Sequence, residues 1–202
     1  MFSWLKRLKQ ANAAPPQADK QDVSQRLLAD GEPSRYVPKD DPQRFAGEPP
    51  PLHLVRSRGE LILVEDSTGL LVGPTDRRLA KAGIYIAKLR GESYHKTACK
   101  RGDFAPGVTV RLMPEPDNQH DPNAVRVTAN EDDAKTAAYV NKGAAKRFGR
   151  LASSGEPLRV ISLKGTTSGA ACEKITILAA HPDLVAHLLA RRPKGSPRPQ
   201  TG

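Results

Sequence analysis

One short segment of the chain concentrates side chains that could bind a ligand or a metal ion. Residues 114–125, PEPDNQHDPNAV, carry three carboxylates, two asparagines, one histidine and three prolines between two strand-like stretches. Pro122 holds Asp121 in an extended conformation, and the Asp121 carboxylate can accept local backbone N–H groups. Such a corner is a rigid turn that needs no ligand, and the same rigidity suits a binding site.

The spacing of the candidate ligands argues against a metal site. The oxygen-bearing side chains at positions 117, 119 and 121 alternate as in an EF-hand loop, but Pro122 stands where that loop needs glycine. Thr128 stands where it needs a bidentate carboxylate. A zinc site could draw on His95, Cys99 and His120, yet the chain has no CxxC pair to support it. We therefore predict no metal ion and no cofactor.

The chain also lacks the motifs of common enzymes. GxSxG, HExxH and the P-loop are absent from the sequence. The Gly/Ser-rich run GTTSGAAC lies between two predicted strands rather than before a helix. The sequence therefore predicts a protein that is not an enzyme. A metal-dependent nuclease built on Glu115, Asp117 and Asp121 remains a distant alternative, because nothing in the spacing makes these carboxylates converge.

Aromatic rings next to cations point instead to recognition of a nucleic acid. The residues with this chemistry are Tyr94, His95, His120, Tyr139 and Lys142. Bases of a single strand stack on exposed rings, and basic side chains follow its phosphates. Lys142 also stands at the start of a predicted helix, where backbone N–H groups favour an anion. The alternative for the two tyrosines is that their rings cover the core and only their hydroxyl groups reach solvent.

The end of a nucleic-acid strand offers a further group, a terminal hydroxyl. A rigid carboxylate such as that of Asp121 can accept a hydrogen bond from this hydroxyl. A strand that continued would place a phosphate there, and the two negative charges would repel each other. The sequence thus permits recognition of a strand end at Asp121.

Several short strands and one clear helix must position these residues. Alternating apolar residues predict strands in GIYIAKLRG, GVTVRLMPE, AVRVTA, TAAYV, LRVISLKG and KITILAAHP. The apolar stripe of NKGAAKRFGRLAS predicts a helix with Asn141 as its N-cap, and DLVAHLLARR predicts a second, short one. Regular short strands without βαβ alternation indicate a mainly β fold, a small OB-like barrel with one or two helices.

Composition divides the rest of the chain. Residues 1–51 are Pro-rich and poor in apolar residues, which predicts a disordered N-terminal segment. The pattern of residues 52–81 predicts either a β-hairpin extension or the first strands of the barrel. The pattern of residues 82–190 predicts the barrel itself. Residues 191–202 predict a basic disordered tail. The net charge of +10 falls mainly on residues 81–190 (+5) and on the tail (+4), which suits a polyanion but is also explained by solubility.

The two cysteines and the absence of long apolar runs bear on location. Cys99 and Cys172 cannot form a disulfide framework, and we expect buried or incidental thiols in a reducing compartment. No run is long enough for a signal peptide or a transmembrane helix. The sequence predicts a cytoplasmic protein with no membrane partner. Association with the nucleoid is compatible with this prediction.

The polar corner and its surroundings resemble the HIRAN domain family. The resemblance rests on PEPDNQHDPNAVRV, preceded by LRGESYHK and GVTVRLMPEP and followed by AAYVNKGAAKRF, and it spans about residues 82–180. It implies an OB-like barrel that binds single-stranded DNA at a free 3′-hydroxyl end. By position it implies that Tyr94 and His120 sandwich the terminal base and that Asp121 meets the hydroxyl. Asn118, Tyr139 and Lys142 would hold the backbone. His95, next to Tyr94 in GESYHK, is a further candidate for contact with the nucleic acid.

The chain departs from that pattern at two positions. Ser93 stands where eukaryotic relatives often carry a basic residue, so one interaction with a phosphate is missing unless Arg90 or Lys96 replaces it. His120 stands where those relatives have tyrosine, and an imidazole stacks over less area and titrates near neutral pH.

The sequence therefore predicts a module that binds single-stranded DNA ends in repair or replication stress. Because the helicase motor of the large relatives is absent, remodelling would need a helicase or nuclease partner. The alternative is a protein-interaction adaptor whose tails make the contacts, since a helix over the first ten residues would align Phe2, Leu5 and Leu8.

Overall fold

The computed structural model describes residues 34–41, 43–129, 135–171 and 174–201. These residues form eight strands and four helices: β1 Leu52–Ser57, β2 Glu60–Glu65, α1 Arg77–Lys81, β3 Tyr85–Arg90, α2 Lys96–Arg101, β4 Val110–Pro114, β5 Val125–Ala129, β6 Ala138–Val140, α3 Lys142–Ser153, β7 Arg159–Lys164, β8 Thr176–Ala180 and α4 Pro182–Leu189. The predicted mainly β fold is confirmed, and both predicted helices are present as α3 and α4. The additional helices α1 and α2 have five and six residues, too short for apolar periodicity to reveal them.

Six strands form one curled antiparallel sheet in the order β4-β5-β6-β3-β8-β7. The segment before β4 also meets β7, because Gly107 N donates to Ser162 O at 2.7 Å and Ser162 N donates to Val108 O at 2.9 Å. The first and last strands of the sheet therefore approach each other. The sheet therefore curls into a half-barrel, in agreement with the barrel that strand spacing predicts.

Strand β3 lies between two apolar cores. Ala87 and Leu89 point into the barrel with the apolar residues of β5, β6 and α3. Ile84 and Ile86 point the other way, into a second core between the sheet and the β1–β2 hairpin. The alternation of β3 was predicted from the sequence, and it fixes which of its side chains reach each face.

The β1–β2 hairpin is a separate two-stranded sheet outside the barrel. Its turn is formed by Arg58 and Gly59, both with positive φ, as the tightest hairpin turns require. The preceding segment also packs here: Val37 and Phe45 are buried in the second core. The prediction of disorder through residue 51 is therefore wrong for residues 35–41 and 43–51, because these two apolar side chains supply buried area. Residues 1–33 lie outside the described part.

The C-terminal tail lies against the same hairpin. Arg192 Nε donates to Asp66 Oδ1 at 3.1 Å, and Gln200 N donates to Gly69 O at 3.0 Å. Asp66 is also paired with His53 Nδ1 at 2.8 Å in a buried hydrogen bond. Composition predicts disorder for residues 191–202. Residues 191–201 instead lie along the hairpin, because Arg192 pairs with the partly buried Asp66 carboxylate.

Cys99 is buried in the barrel core and is disulfide-bonded. The expectation of a free thiol is wrong for Cys99, because local sequence does not show which sulfur atoms the tertiary fold brings together. Cys172 lies outside the described residues. Among the residues that the structure describes, no helix is both long and apolar enough to cross a bilayer.

Gly165 lies against the backbone of Phe104, and its replacement by alanine is expected to destabilise the barrel. A Cβ atom there would overlap the Phe104 carbonyl oxygen and come within 2.9 Å of Phe104 Cβ. Phe104 is fully buried, so relief requires movement of the core at a cost of about 1–3 kcal/mol. Urea denaturation of Gly165→Ala should show a lower midpoint.

The matched control is Gly143→Ala at the start of α3, where a Cβ would meet no atom within 4 Å. This change should keep or raise the midpoint, because alanine favours a helix over glycine by about 1 kcal/mol. Equal midpoints for the two variants would contradict the crowding argument.

Candidate nucleic-acid interface

The loop after β3 presents two aromatic rings. Gly91 has a φ of 88°, and the turn it opens is closed by a hydrogen bond from Tyr94 N to Gly91 O at 2.9 Å. Tyr94 is 89% exposed, the most exposed large apolar side chain among the described residues. His95 follows as the N-cap of α2 but makes no capping hydrogen bond. Its ring instead packs against the Tyr139 ring, with 5.8 Å between the ring centroids.

Tyr139 connects this loop to the polar corner. It lies on β6 between the buried Ala138 and Val140, so its side chain points to the outer face of the sheet. Its hydroxyl donates to Glu115 Oε2 at 3.3 Å. Burial and the negative charge of Glu115 raise the pKa of Tyr139. The phenol therefore remains a hydrogen-bond donor throughout the physiological pH range.

The polar corner holds its own shape through side-chain hydrogen bonds. Asn118 Nδ2 donates to Glu115 Oε2 at 2.9 Å. Asn118 Oδ1 accepts from the backbone N–H groups of His120 and Asp121 at 3.0 and 3.2 Å. Asp121 Oδ1 accepts from Asn123 N at 2.8 Å. The corner is thus the rigid turn that its asparagines and prolines predict.

The same arrangement leaves one carboxylate oxygen of Asp121 available. Oδ1 accepts from both the backbone and the side-chain nitrogen of Asn123. Oδ2 has no hydrogen-bond partner among the described residues, and Asp121 is half-buried rather than hidden. His120 beside it is exposed. A fixed, accessible carboxylate oxygen next to a flat ring can accept a hydrogen bond from a ligand hydroxyl.

Lys142 begins α3, directly after the strand that carries Tyr139. Asn141 is the predicted N-cap: its Oδ1 accepts from Ala144 N at 3.1 Å. Asn141 N also donates to Lys88 O at 3.1 Å, which fastens the start of the helix to β3. Lys142 is exposed. Its ammonium group and the first N–H groups of α3 favour an anion at this point.

Contacts in the structure therefore join some of the predicted site residues but not others. A continuous series of contacts runs from His95 through Tyr139 and Glu115 to Asn118, and from Asn118 to the backbone at His120 and Asp121. Tyr94 and Lys142 are both exposed: Tyr94 directly precedes His95, and Lys142 follows the strand that carries Tyr139. A gap one base wide between the Tyr94 and His120 rings stays a prediction.

Two residues that sequence reasoning did not assign to the site support it. Glu115 accepts hydrogen bonds from both Tyr139 and Asn118, and Arg126 Nε lies 3.5 Å from Glu115 Oε1. The sequence suggested Glu115 only as a nuclease ligand. Its role depends on the pairing of Arg126 with Tyr139 across β5 and β6, and strand register of this kind has no local sequence signal.

Metal chemistry finds no support among the described residues, which contain no group of three or more His, Cys, Asp or Glu side chains arranged to hold an ion. The zinc alternative is wrong as stated, because Cys99 is disulfide-bonded and cannot act as a thiolate ligand.

Comparison with known proteins shows what part of this chain is similar to. Residues 83–167 match the HIRAN domain. Among solved structures, a protein from Lactobacillus plantarum matches with 20% identity and a TM-score of 0.36, over 48% of this chain and 92% of that one. The HIRAN domain of human HLTF matches with 14% identity and a TM-score of 0.36, over 52% of this chain and 83% of that one. No curated protein matches.

Proposed function

From the match of residues 83–167 to the HIRAN domain, we propose that this chain binds single-stranded DNA at its free 3′-hydroxyl end. The terminal base stacks between Tyr94 and His120, and the terminal hydroxyl donates to Asp121. The sugar and phosphates behind that base are held by the remaining polar and basic residues of the site, which are His95, Asn118, Tyr139 and Lys142.

One observation carries the proposal: the accessible Oδ2 of Asp121 in a corner that is already rigid. Because Oδ1 holds the corner through Asn123, a ligand does not have to break this turn to reach Oδ2. A preformed acceptor loses little conformational entropy on binding. A 3′-phosphate at the same place would bring a second negative charge against the carboxylate, and this repulsion is the basis of end recognition.

The aromatic residues supply affinity rather than discrimination. Tyr94 exposes its ring to solvent, where the ring is available for stacking with a base. Tyr139 remains protonated because burial and Glu115 raise its pKa, so its ring and hydroxyl stay neutral beside a phosphate. Lys142 supplies the positive charge at the start of α3.

The proposed function is that of a binding module without catalysis. The sequence has no P-loop, so the module supplies no nucleotide-driven movement of DNA. In a repair or replication-stress setting it would deliver a strand end to a helicase or nuclease partner.

The 3′ end can be tested directly with two oligonucleotides that differ only in a 3′-hydroxyl or a 3′-phosphate. We expect the wild-type protein to bind the hydroxyl form about tenfold more tightly, or ~1.4 kcal/mol, in a fluorescence titration. Asp121→Asn should remove this preference, mainly by improving binding of the phosphate form, because it removes the repelling charge while Oδ1 can still accept from Asn123.

The matched control is Asp117→Asn, which removes an exposed carboxylate from the same corner. It should keep the preference for the hydroxyl form, since the Asp117 side chain takes part in none of the hydrogen bonds that shape the corner. Equal binding of the two oligonucleotides by the wild-type protein would exclude end recognition.

A further inference from the structure

A groove opens between the β1–β2 hairpin and the outer face of the six-stranded sheet. We call it the outer groove; it has a volume of about 480 Å³ and is lined by Ile62 and Leu71 on the hairpin side and by Ile86 on the sheet side. The hairpin precedes residue 83, so one wall of this groove lies outside the region that matches the HIRAN domain. The apolar hairpin wall is therefore specific to the extension, whereas Lys88 and Arg90 on β3 lie within the matched region.

Three positive charges at the outer groove have no counter-charge among the described residues. Lys88, Arg90 and Lys174 line it and are exposed. None of the three has an ion-pair partner among the described residues. The one acidic side chain in the described lining is Glu60, and it is already paired with Lys164. Uncompensated cations of this kind favour a polyanionic occupant.

The outer groove is continuous with the candidate interface. Arg90 on β3 pairs directly with Tyr139 on β6, and directly paired residues place their side chains on the same face of a sheet. Lys88 lies two residues earlier on β3 and pairs with Thr176 of β8. A path on one face of the sheet therefore runs from Tyr139 to Arg90 and then to Lys88, without crossing the core.

The spacing and the walls of the groove suit a single strand. Residues two apart on a strand point the same way and are separated by about 6.6–6.8 Å, close to the separation of successive phosphates in an extended single strand. The apolar walls suit unpaired bases, and Tyr36 at the rim is 54% exposed. A duplex would not fit this pattern, because its bases are stacked inside and only its phosphates reach the protein.

We propose that the outer groove binds the part of a single DNA strand that continues from the end held at Asp121. Lys88, Arg90 and Lys174 contact its phosphates, and the apolar walls and Tyr36 receive its bases. This inference rests on the proposed function, because the terminal nucleotides bind at the end site formed around Asp121. The hairpin thereby turns an end-binding site into a longer one.

The test compares two unlabelled oligonucleotides with 3′-hydroxyl ends, dT3 and dT12, by calorimetric titration of the full-length protein. The variant is Lys88→Glu with Lys174→Glu. We expect the wild-type protein to bind dT12 at least about tenfold more tightly than dT3. Both strands have a single 3′ end, so a larger number of ends does not explain this gain. The variant should lose most of this gain and bind dT3 within about twofold of wild type.

For dT12, the slope of log affinity against log salt should become shallower by about 1.4, which is ~0.7 for each of the two phosphates that the variant no longer neutralises.

The control with the same change in net charge is Arg77→Glu with Lys81→Glu. Both residues are exposed on α1, and neither lines the outer groove. This control should keep the gain from dT3 to dT12. A variant at Lys88 and Lys174 that binds dT12 as wild type does, or that weakens dT3 and dT12 equally, would overturn the proposal.

The two proposals can fail separately in this design. The preference for dT3 with a 3′-hydroxyl over dT3 with a 3′-phosphate depends only on the end site. The ratio of the dT12 and dT3 affinities depends on the groove. If the preference for the 3′-hydroxyl is absent but dT12 still binds more tightly than dT3, end recognition is contradicted. If the preference is present but dT12 and dT3 bind equally, the groove proposal is contradicted.

Discussion

Replacing Tyr94 with alanine is expected to weaken binding of a short single-stranded deoxyoligonucleotide by about 5- to 150-fold. The reason is the stacking of one base on the ring, which contributes about 1–3 kcal/mol by alanine substitution. The tyrosine is 89% exposed, so its ring contributes little to packing of the folded protein. The loss should therefore appear in affinity and not in stability.

The measurement is a titration of dT6 at fixed salt with wild type, Tyr94→Ala and Tyr94→Phe. Phenylalanine keeps the flat ring and removes only the hydroxyl, so it should bind within about threefold of wild type, or ~0.7 kcal/mol. All three proteins should melt at the same temperature within error. An alanine variant that binds dT6 as tightly as wild type would remove Tyr94 from the interface.

Replacing Arg78 with methionine is expected to destabilise the folded protein by about 3–5 kcal/mol. Arg78 is buried, and its guanidinium donates to Asp76 Oδ1 at 3.0 Å and Oδ2 at 2.7 Å and to Asp41 O at 2.7 Å. It also lies 4.6 Å above the centre of the Phe45 ring. Breaking a buried pair by removing one partner leaves the other charge unpaired, and this cost is of the stated size.

The pH dependence of stability provides an independent check on this pair. Burial raises the pKa of Asp76, but the hydrogen bonds and charge of Arg78 lower it more, so the net pKa lies below its ordinary value. A carboxylate whose pKa is lowered by folding stabilises the protein above its unfolded pKa. That stability is lost as the pH falls through the folded pKa. The wild type should thus lose stability on acidification, and Arg78→Met should lose less of it over the same pH range.

Urea denaturation of Arg78→Met and of the double variant Asp76→Asn with Arg78→Met separates the two contributions. The asparagine can still cap α1, because the Asp76 side chain accepts from Arg78 N. If the unpaired charge is the main cost, the double variant should recover at least about 1 kcal/mol of the loss. A single variant destabilised by less than about 1 kcal/mol would show that this pair is not a support of the fold.

The strands were predictable because their alternation is local. Val125 and Val127 repeat every second residue and point into the barrel core, and the apolar stripe that includes Phe148 predicts α3. The two short helices were not predictable, since five or six residues span less than two turns. The packing of residues 35–41 and 43–51 was not predictable, because Val37 and Phe45 are isolated in a polar, Pro-rich composition.

The site was predictable in its residues more than in its connections. Asn118 and Asp121 stand in a turn that their own types favour, and the structure has that turn. The supporting role of Glu115 was not predictable, because its partners Tyr139 and Arg126 lie 24 and 11 positions further along the chain, on other strands. The outer groove was not predictable, because it forms only where the hairpin lies over the outer face of β3.

The sequence by itself determined the polar corner, the alternation of the barrel strands and the capped helix α3. These features depend on dihedral preferences and on the periods of 2 and 3.6 residues, which act within a few positions of the chain. Only the tertiary structure decided that His95 meets Tyr139, that Arg78 is buried against Asp41 and Phe45 and that Lys88 and Arg90 line a groove. Such contacts depend on the register of distant strands and on which surfaces exclude water together, and neither property is encoded in any short segment.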